Sequence, residues 1–421
     1  MTGEGRYLAA REAAEELGVS LATLYAYVSR GMIRSEAGGG RSRRYRAEDV
    51  RRLKERKERK RDPDAAVEGA LSWGTPVLES AITLVTDVGL YYRGRDAVAL
   101  SAGSTVEEVA ALIWTGDPGE AAELFGGDPT EVPPRVRELM GGLPPVEAFQ
   151  ALLPMAAAAD PAAYDLRPEA VARTGARILR LMAGAATGEE GAGLAETLRR
   201  GWCPGEAGAT RLLGAALILC ADHELPVSTF AARCVASSEA TPYGVVAAGL
   251  AALGGIKHGG QVELVEAFLR EVEAAGEARA AISGRLRRGE TVPGFGHSLY
   301  PGGDPRGAEL LRITAAANPG SPSVALATTV VREAEGLLGE RPTLDLGLAT
   351  LARALGLPDG SAVALFALGR TIGWIGHAIE QYTSGSLIRP RARYVGEVGL
   401  RQQASVRPVM AVREPPQQPE T

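Results

Sequence analysis

The chain has 421 residues, 45% hydrophobic and 23% charged, an ordinary globular composition that leaves room for two or three domains and a sizeable core. No apolar stretch follows Met1, so no signal peptide is predicted. The net charge of −5 hides an asymmetry: residues 1–61 carry 16 Lys+Arg against 9 Asp+Glu, a basic head before an acidic body.

The head predicts short helices and a turn. Glu12 to Leu17 forms the first helix and Gly18 ends it. Ser20 caps a second, Leu21 to Ser29, which Gly31 closes. Gly38-Gly39-Gly40 predicts a hairpin tip, and Glu48 and Asp49 open a basic helix ending at Arg61. Asp62-Pro63-Asp64 breaks that helix, and residues 62–72 are expected to be a linker.

From Trp73 onward helices dominate. Ser104-Thr105-Val106-Glu107 is a capping-box pattern. Pro168 suits the first position of a helix carrying Val171, Ile178, Leu179 and Leu181. Val262, Val265, Phe268, Leu269 and Val272 recur at helical spacing, whereas strand alternation is confined to Leu84–Tyr92. The apolar stretch Ser361–Ile379 contains Arg370 and His377, which fits a buried helix better than a membrane span. Cys203, Cys220 and Cys234 lack metal-ligand spacing, so reduced thiols in a cytoplasmic protein, and no metal site, are expected. Residues 407–421, rich in Pro, Gln and Glu, are expected to be a disordered tail.

Candidate chemistry centres on histidine. The chain has four, and three stand in Asp222-His223-Glu224, Lys257-His258-Gly259-Gly260 and Gly294-Phe295-Gly296-His297. Glycine beside an imidazole lets another group approach closely, and the imidazole itself can donate or accept a proton. A Lys257 ammonium would oppose protonation of His258. Arg370 lies in an apolar run, so its guanidinium needs a partner: a structural carboxylate or an anionic substrate. Asp345, between leucines ahead of a helix, reads as a cap or as a partly desolvated base. Tyr300-Pro301-Gly302-Gly303-Asp304-Pro305-Arg306 reads as a surface turn or as part of the same site.

In this order the motifs, followed by Arg389-Pro390-Arg391, resemble the citrate synthase family. Tyr91-Tyr92-Arg93-Gly94 and Glu107-Glu108-Val109-Ala110 are similar to that family's early segments, and the likeness covers residues 73–400. The resemblance implies a mainly α fold: a large domain of 73–261 and 356–406, and a small domain of 262–355 that closes over the cleft. It implies Claisen-type condensation of acetyl-CoA with oxaloacetate, then hydrolysis of citryl-CoA to citrate and CoA, a step of the tricarboxylic acid cycle. By the same resemblance His258 stabilises the enolate, Asp345 removes the methyl proton, and His297 polarises the ketone and protonates the alkoxide. His223, Arg306 and Arg370 would hold oxaloacetate. Arg389 would reach the partner subunit's site in a homodimer. CoA serves as co-substrate, with no permanently bound cofactor.

Ser298-Leu299 before Tyr300, Leu346-Gly347-Leu348 after Asp345, Cys220 and Gln261 depart from common family residues, which leaves 2-methylcitrate synthesis from propionyl-CoA as an alternative. Residues 1–61 resemble a MerR-type winged helix-turn-helix, with Arg30, Arg41, Arg43, Arg44 and Arg46 placed for DNA phosphates. A protein-contact module is the competing reading of the head. A metabolite-sensing DNA-binding regulator is the competing reading of the whole chain.

Overall fold

The computed structural model describes residues 7–29, 33–37, 43–46, 50, 78–87, 89–127, 138, 140, 142–191 and 193–392. The chain divides into two compact units, residues 1–79 and 80–421.

The first unit contains β1 (Tyr7–Ala9), α1 (Ala10–Glu16), α2 (Leu21–Ser29), β2 (Ser35–Ala37) and β3 (Arg43–Arg46). Central β3 pairs antiparallel with β1 and β2, Leu8 opposite Tyr45 and Ala37 opposite Arg43. Helix α1 starts two residues before the expected Glu12, because the Glu12 carboxylate accepts the Ala9 N–H at 2.8 Å and caps from inside the first turn. Helix α2 has the expected bounds, and the Ser20 hydroxyl accepts the Thr23 N–H at 3.3 Å. Ala13, Leu17, Leu24, Ile33 and Tyr45 form a small core. The Gly38–Gly40 tip, Arg30, Gly31, Arg41, residues 51–61 of the basic helix, the 62–72 linker and the 407–421 tail lie outside the described residues.

The second unit opens with strands β4 (Thr83–Thr86), β5 (Gly89–Tyr92) and β6 (Arg95–Asp96). The alternation expected over Leu84–Tyr92 is therefore a hairpin rather than one strand. Asp87 interrupts it, and the Thr86 hydroxyl donates to the Gly89 carbonyl at 3.2 Å. Helices follow: α3 (Ala97–Gly103), α4 (Val106–Thr115), α5 (Ala121–Phe125), α6 (Pro145–Ala159), α7 (Pro168–Thr187), α8 (Leu194–Trp202), α9 (Ala209–Cys220), α10 (Val227–Ala236) and α11 (Pro242–Leu253). Then come α12 (Gly260–Ala275), α13 (Ala278–Arg287), α14 (Pro305–Ala317), α15 (Pro322–Leu338), α16 (Leu344–Ala354) and α17 (Ser361–Ser384). The capping box of α4 sits one residue later than its pattern suggested. Thr105 accepts the Glu108 N–H at 3.2 Å and Glu108 accepts the Thr105 N–H at 2.7 Å, while Glu107 instead accepts the Leu194 N–H at 2.7 Å.

Helix α17 is the axis of the larger core and packs against α4, α7, α9, α10 and α11. Every residue from Ser361 to Ile379 is buried, and each large apolar side chain so enclosed contributes roughly 1.5–3 kcal/mol. By length and composition α17 could cross a membrane, but here other helices surround it; no other helix among the described residues meets that test. Gly373 allows its close approach to α9. A Cβ there would stand 2.5 Å from the Ala221 carbonyl oxygen, and the Gly373 N–H donates to that oxygen at 2.9 Å. A second core, built around Val265, Phe268, Ile282, Val330 and Leu346, joins α12, α13, α15 and α16. Helices α14 and α16 pack on each other, and they touch α9 and α17 respectively. The expected cut between residues 261 and 262 falls in the first turn of α12.

Candidate active site

At the end of α9 the backbone turns through Asp222-His223-Glu224. The Arg370 Nε–H of α17 donates to the Cys220 carbonyl at 2.9 Å, satisfying one of the carbonyls that a helix end leaves open. His223 is buried, and its Nε2 lies 2.9 Å from the Tyr300 hydroxyl. The His297 ring meets His223 edge-on at 5.3 Å between centroids and lies 4.9 Å from the Tyr300 ring. Two of the expected imidazoles thus converge around Tyr300.

His297 and Tyr300 sit in the loop before α14. Gly294 and Gly296 adopt φ of +87° and +77°, and a Cβ on Gly296 would be 2.9 Å from the Glu340 carboxylate. The Leu299 N–H donates to His297 Nδ1 at 3.2 Å, which leaves Nε2 to carry the proton. Asp304 caps α14 through the Arg306 N–H at 3.0 Å, and Arg306 donates from both Nε and Nη2 to the same carboxylate at 2.9 Å. Asp304 also accepts the Leu344 N–H at 3.2 Å, tying α14 to the start of α16. Tyr300, Asp304 and Arg306 are buried, so the surface-turn reading of this loop fails at both ends and holds only for exposed Pro301 and Gly302.

His258 follows α11 and faces Ser228 of α10, with 2.7 Å between Nε2 and the hydroxyl. Its ring abuts Phe366 edge-on at 5.6 Å, and Arg370 lies over the same ring with Cζ 4.9 Å from the centroid. Phe366 and Arg370 stand one turn apart on α17, so one helix face supports both His258 and the arginine. Asp345 lies in the first turn of α16 and is not its cap residue, which is Thr343. The Thr343 hydroxyl donates to Asp345 at 3.0 Å.

Burial sets the charges. It holds His223 well below the ordinary imidazole value, helped by Arg306 and Arg370. His258 falls to about 4 through burial and then Arg370. Lys257, expected to oppose protonation of His258, is exposed, and burial and Arg370 are what lower the imidazole. His297 is lowered by burial and Arg306, against an opposing pull from Asp304. Three neutral imidazoles therefore surround the site at neutral pH. Burial raises Asp345, with Thr343 and Arg306 opposing. Burial lowers Arg370, and Asp222 is the strongest charge resisting it. Arg370 is 1% exposed, yet no carboxylate lies within 4.0 Å of it among the described residues. Arg306, by contrast, has its carboxylate in Asp304.

Residues 70–391 match the citrate synthase C-terminal domain family, and residues 7–58 match a helix-turn-helix domain family. The chain belongs to the citrate synthase family. Citrate synthase 2 of Bacillus subtilis is 28% identical over 351 residues, 77% of this chain and 94% of the relative. The 2-methylcitrate synthase of Mycobacterium tuberculosis is 29% identical over 338 residues, 73% of this chain and 84% of that one. Another M. tuberculosis relative reaches 38% identity over 183 residues, but there the chain spans only about half the relative's length (48%). The crystal structure of citrate synthase from Thermotoga maritima superposes with a TM-score of 0.65 at 25% identity, covering 82% of this chain and 96% of its own.

In this citrate synthase family member, the sequence assigned no individual role to four side chains that touch the site residues: Tyr300 and Asp304, noted only as parts of their loop, and Ser228 and Phe366. Asp304 carried a signal, since Asp followed by Pro marks a helix start and its cap. Ser228 gave none, because 30 residues separate it from His258. Arg389 is exposed and makes no contact with His223, His297 or Arg370 within the chain. Arg43 and Arg44 are exposed on β3 of the first unit, and Arg46 is half-buried. Among the described residues no group of three or more His, Cys, Asp or Glu is arranged to hold a metal ion.

Proposed function

We propose that this chain condenses acetyl-CoA with oxaloacetate and hydrolyses the resulting citryl-CoA to citrate and CoA. The observation that carries this reading is Arg370, a buried cation with no carboxylate within 4.0 Å among the described residues, set among neutral imidazoles. Such a cation suits a dianionic substrate, which it can grip with two parallel hydrogen bonds. Arg306, with Nη1 outside its Asp304 pair, and His223 complete the holding groups.

The chemistry follows from the donors. An acetyl thioester is a very weak carbon acid, so its enolate oxygen needs a strong, pre-aimed donor. If the Ser228 O–H donates to His258 Nε2, then Nδ1–H is the donor presented to the thioester carbonyl. Asp345, made more basic by burial, takes the methyl proton. The enolate carbon attacks the ketone of oxaloacetate while His297 Nε2–H polarises it and then protonates the alkoxide. Water cleaves the thioester and releases CoA. Arg389 completes the oxaloacetate site from a second subunit, and residues 73–261 with 356–406 and 262–355 act as the two closing lobes. The protein works in the cytoplasm.

The assay is release of free CoA thiol from acetyl-CoA plus oxaloacetate. No release above background, with Asp345→Ala indistinguishable from the parent chain, rejects the reading. Propionyl-CoA, giving 2-methylcitrate, is the second reading, favoured by the relatives that carry that name; kcat/KM for the two thioesters side by side decides. The helix-turn-helix unit binds duplex DNA through Arg43 and Arg44, together with Arg30, Arg41 and Arg46. A pure metabolite sensor would not need its base, so the retained Asp345 favours turnover.

A further inference from the structure

His377, the fourth histidine, is fully buried two turns along α17 from Arg370, and the reaction above does not use it. Its Nε2 lies 3.3 Å and 3.4 Å from the two carboxylate oxygens of Asp222. Its Nδ1 lies 3.4 Å from Arg233 Nη1 and 3.9 Å from a Glu380 oxygen. A guanidinium only donates, so Nδ1 accepts and the ring proton sits on Nε2, facing Asp222. Arg233 is held in turn by Glu380 at 3.2 Å and by Gln381 at 3.1 Å, and Glu380 accepts the Ala81 N–H at 2.8 Å. The imidazole thus bridges two ionic groups, the Glu380–Arg233 pair on its Nδ1 side and the Asp222 carboxylate on its Nε2 side.

Asp222 is fully buried. It accepts from the Thr83 hydroxyl at 2.5 Å and from the Glu224 N–H at 3.2 Å. Glu224 adopts φ +58°, a conformation uncommon outside glycine. The backbone on both sides of His223 is thus pinned through one carboxylate. The same carboxylate is the strongest charge favouring ionised Arg370. Any Cβ at Gly373 would collide with Asp222 Oδ1, so the pair has no room to shift toward α17.

We propose that Asp222 and His377 form a buried positioning pair that fixes His223 for an oxo-dicarboxylate. It rests on the reading of His223 as a substrate-holding group. His377 and Asp222 touch no substrate; they act through their neighbours.

Two measurements on the full-length chain test the pair. With only four histidines, the imidazole 15N spectrum resolves each ring. His377 is expected as the Nε2–H tautomer, and H377L is expected to move the His223 signals while H377Q, whose amide can still donate to Asp222, leaves them in place. An Nδ1–H tautomer at His377 overturns the proposal, as do His223 signals unchanged in a folded H377L. The tautomer of the parent chain and the H377Q spectrum decide even if H377L does not fold. In thiol release, H377L should raise the oxaloacetate KM about tenfold or more with the acetyl-CoA KM unmoved, and H377Q should stay within about twofold. Equal changes in both KM values, or none, also overturn it. A parent chain without turnover rejects the condensation reading instead, while the 15N spectra still decide the pair.

Discussion

Replacing Arg370 by methionine separates two roles that a buried arginine can play. A structural arginine stands in an ion pair, and removing it strands a carboxylate at a cost of about 3–5 kcal/mol. Among the described residues Arg370 has no carboxylate within 4.0 Å and donates to the Cys220 carbonyl at 2.9 Å, so its removal weakens the field that favours buried Asp222 without breaking a direct ion pair. Losing that bond costs about 1.5–3 kcal/mol. Methionine keeps much of the volume beside Phe366 and removes a charge that burial disfavours, which offsets the loss. The expected net loss of stability, read by urea unfolding, therefore stays below the about 3–5 kcal/mol of a broken buried ion pair. Substrate binding should behave oppositely. Truncating one partner of a buried charged hydrogen-bonded pair costs about 2–5 kcal/mol, so the oxaloacetate KM should rise by roughly 30-fold to several thousand-fold. Thiol release at saturating acetyl-CoA, with oxaloacetate varied, measures it. A variant that unfolds about 3 kcal/mol more easily yet keeps its oxaloacetate KM would refute the assignment of Arg370 to the substrate.

Asp345→Asn should reduce kcat by about 10³-fold or more with little change in oxaloacetate KM, because only the proton-abstracting step loses its base. Its folded-state pKa is raised, so ionised Asp345 opposes folding at neutral pH. Denaturant midpoints should therefore show Asp345→Asn as the more stable chain at pH 7, with the gain vanishing below the ordinary carboxylate value. His258 has the reverse sign of shift for its charge type. Its folded pKa near 4 lies below the unfolded 6.5, so stability is full above pH 6.5 and drains as pH falls toward 4. His258→Asn should flatten that part of the stability profile, and an unchanged acid limb would remove His258 from its cause. In the first unit, Arg43→Ala with Arg44→Ala should weaken duplex-DNA binding at every sequence. The double variant should also reduce the slope of log affinity against log salt by about 0.9 for each phosphate it no longer neutralises; an unaltered slope favours the protein-contact reading.

Most helices were readable because their signals are local. Ser20 and Pro168 mark the starts of α2 and α7, and the 3.6-residue spacing from Val262 to Val272 marks α12. Where two local signals overlapped, sequence could not choose. Ser104/Glu107 and Thr105/Glu108 both fit a capping box, and the choice fell to the second because Glu107 is engaged by the distant Leu194 N–H. Asp87 likewise divides an apparently single alternating run into a hairpin.

The site shows the same division more sharply. Residues that bring their own chemistry, namely His223, His258, His297 and Arg370, could be singled out one at a time. What makes them usable is supplied from elsewhere in the chain. Ser228 settles which nitrogen of His258 is free, Tyr300 engages His223, and Asp304 fixes Arg306 while anchoring the helix that carries Asp345. The protonation of His258 shows why proximity along the chain misleads. Lys257 is adjacent but solvated, so its charge is screened, whereas Arg370 is 112 positions away in number but shares one aromatic ring with the imidazole. Charge acts through space and through low dielectric, and only the fold determines which cation is near and dry.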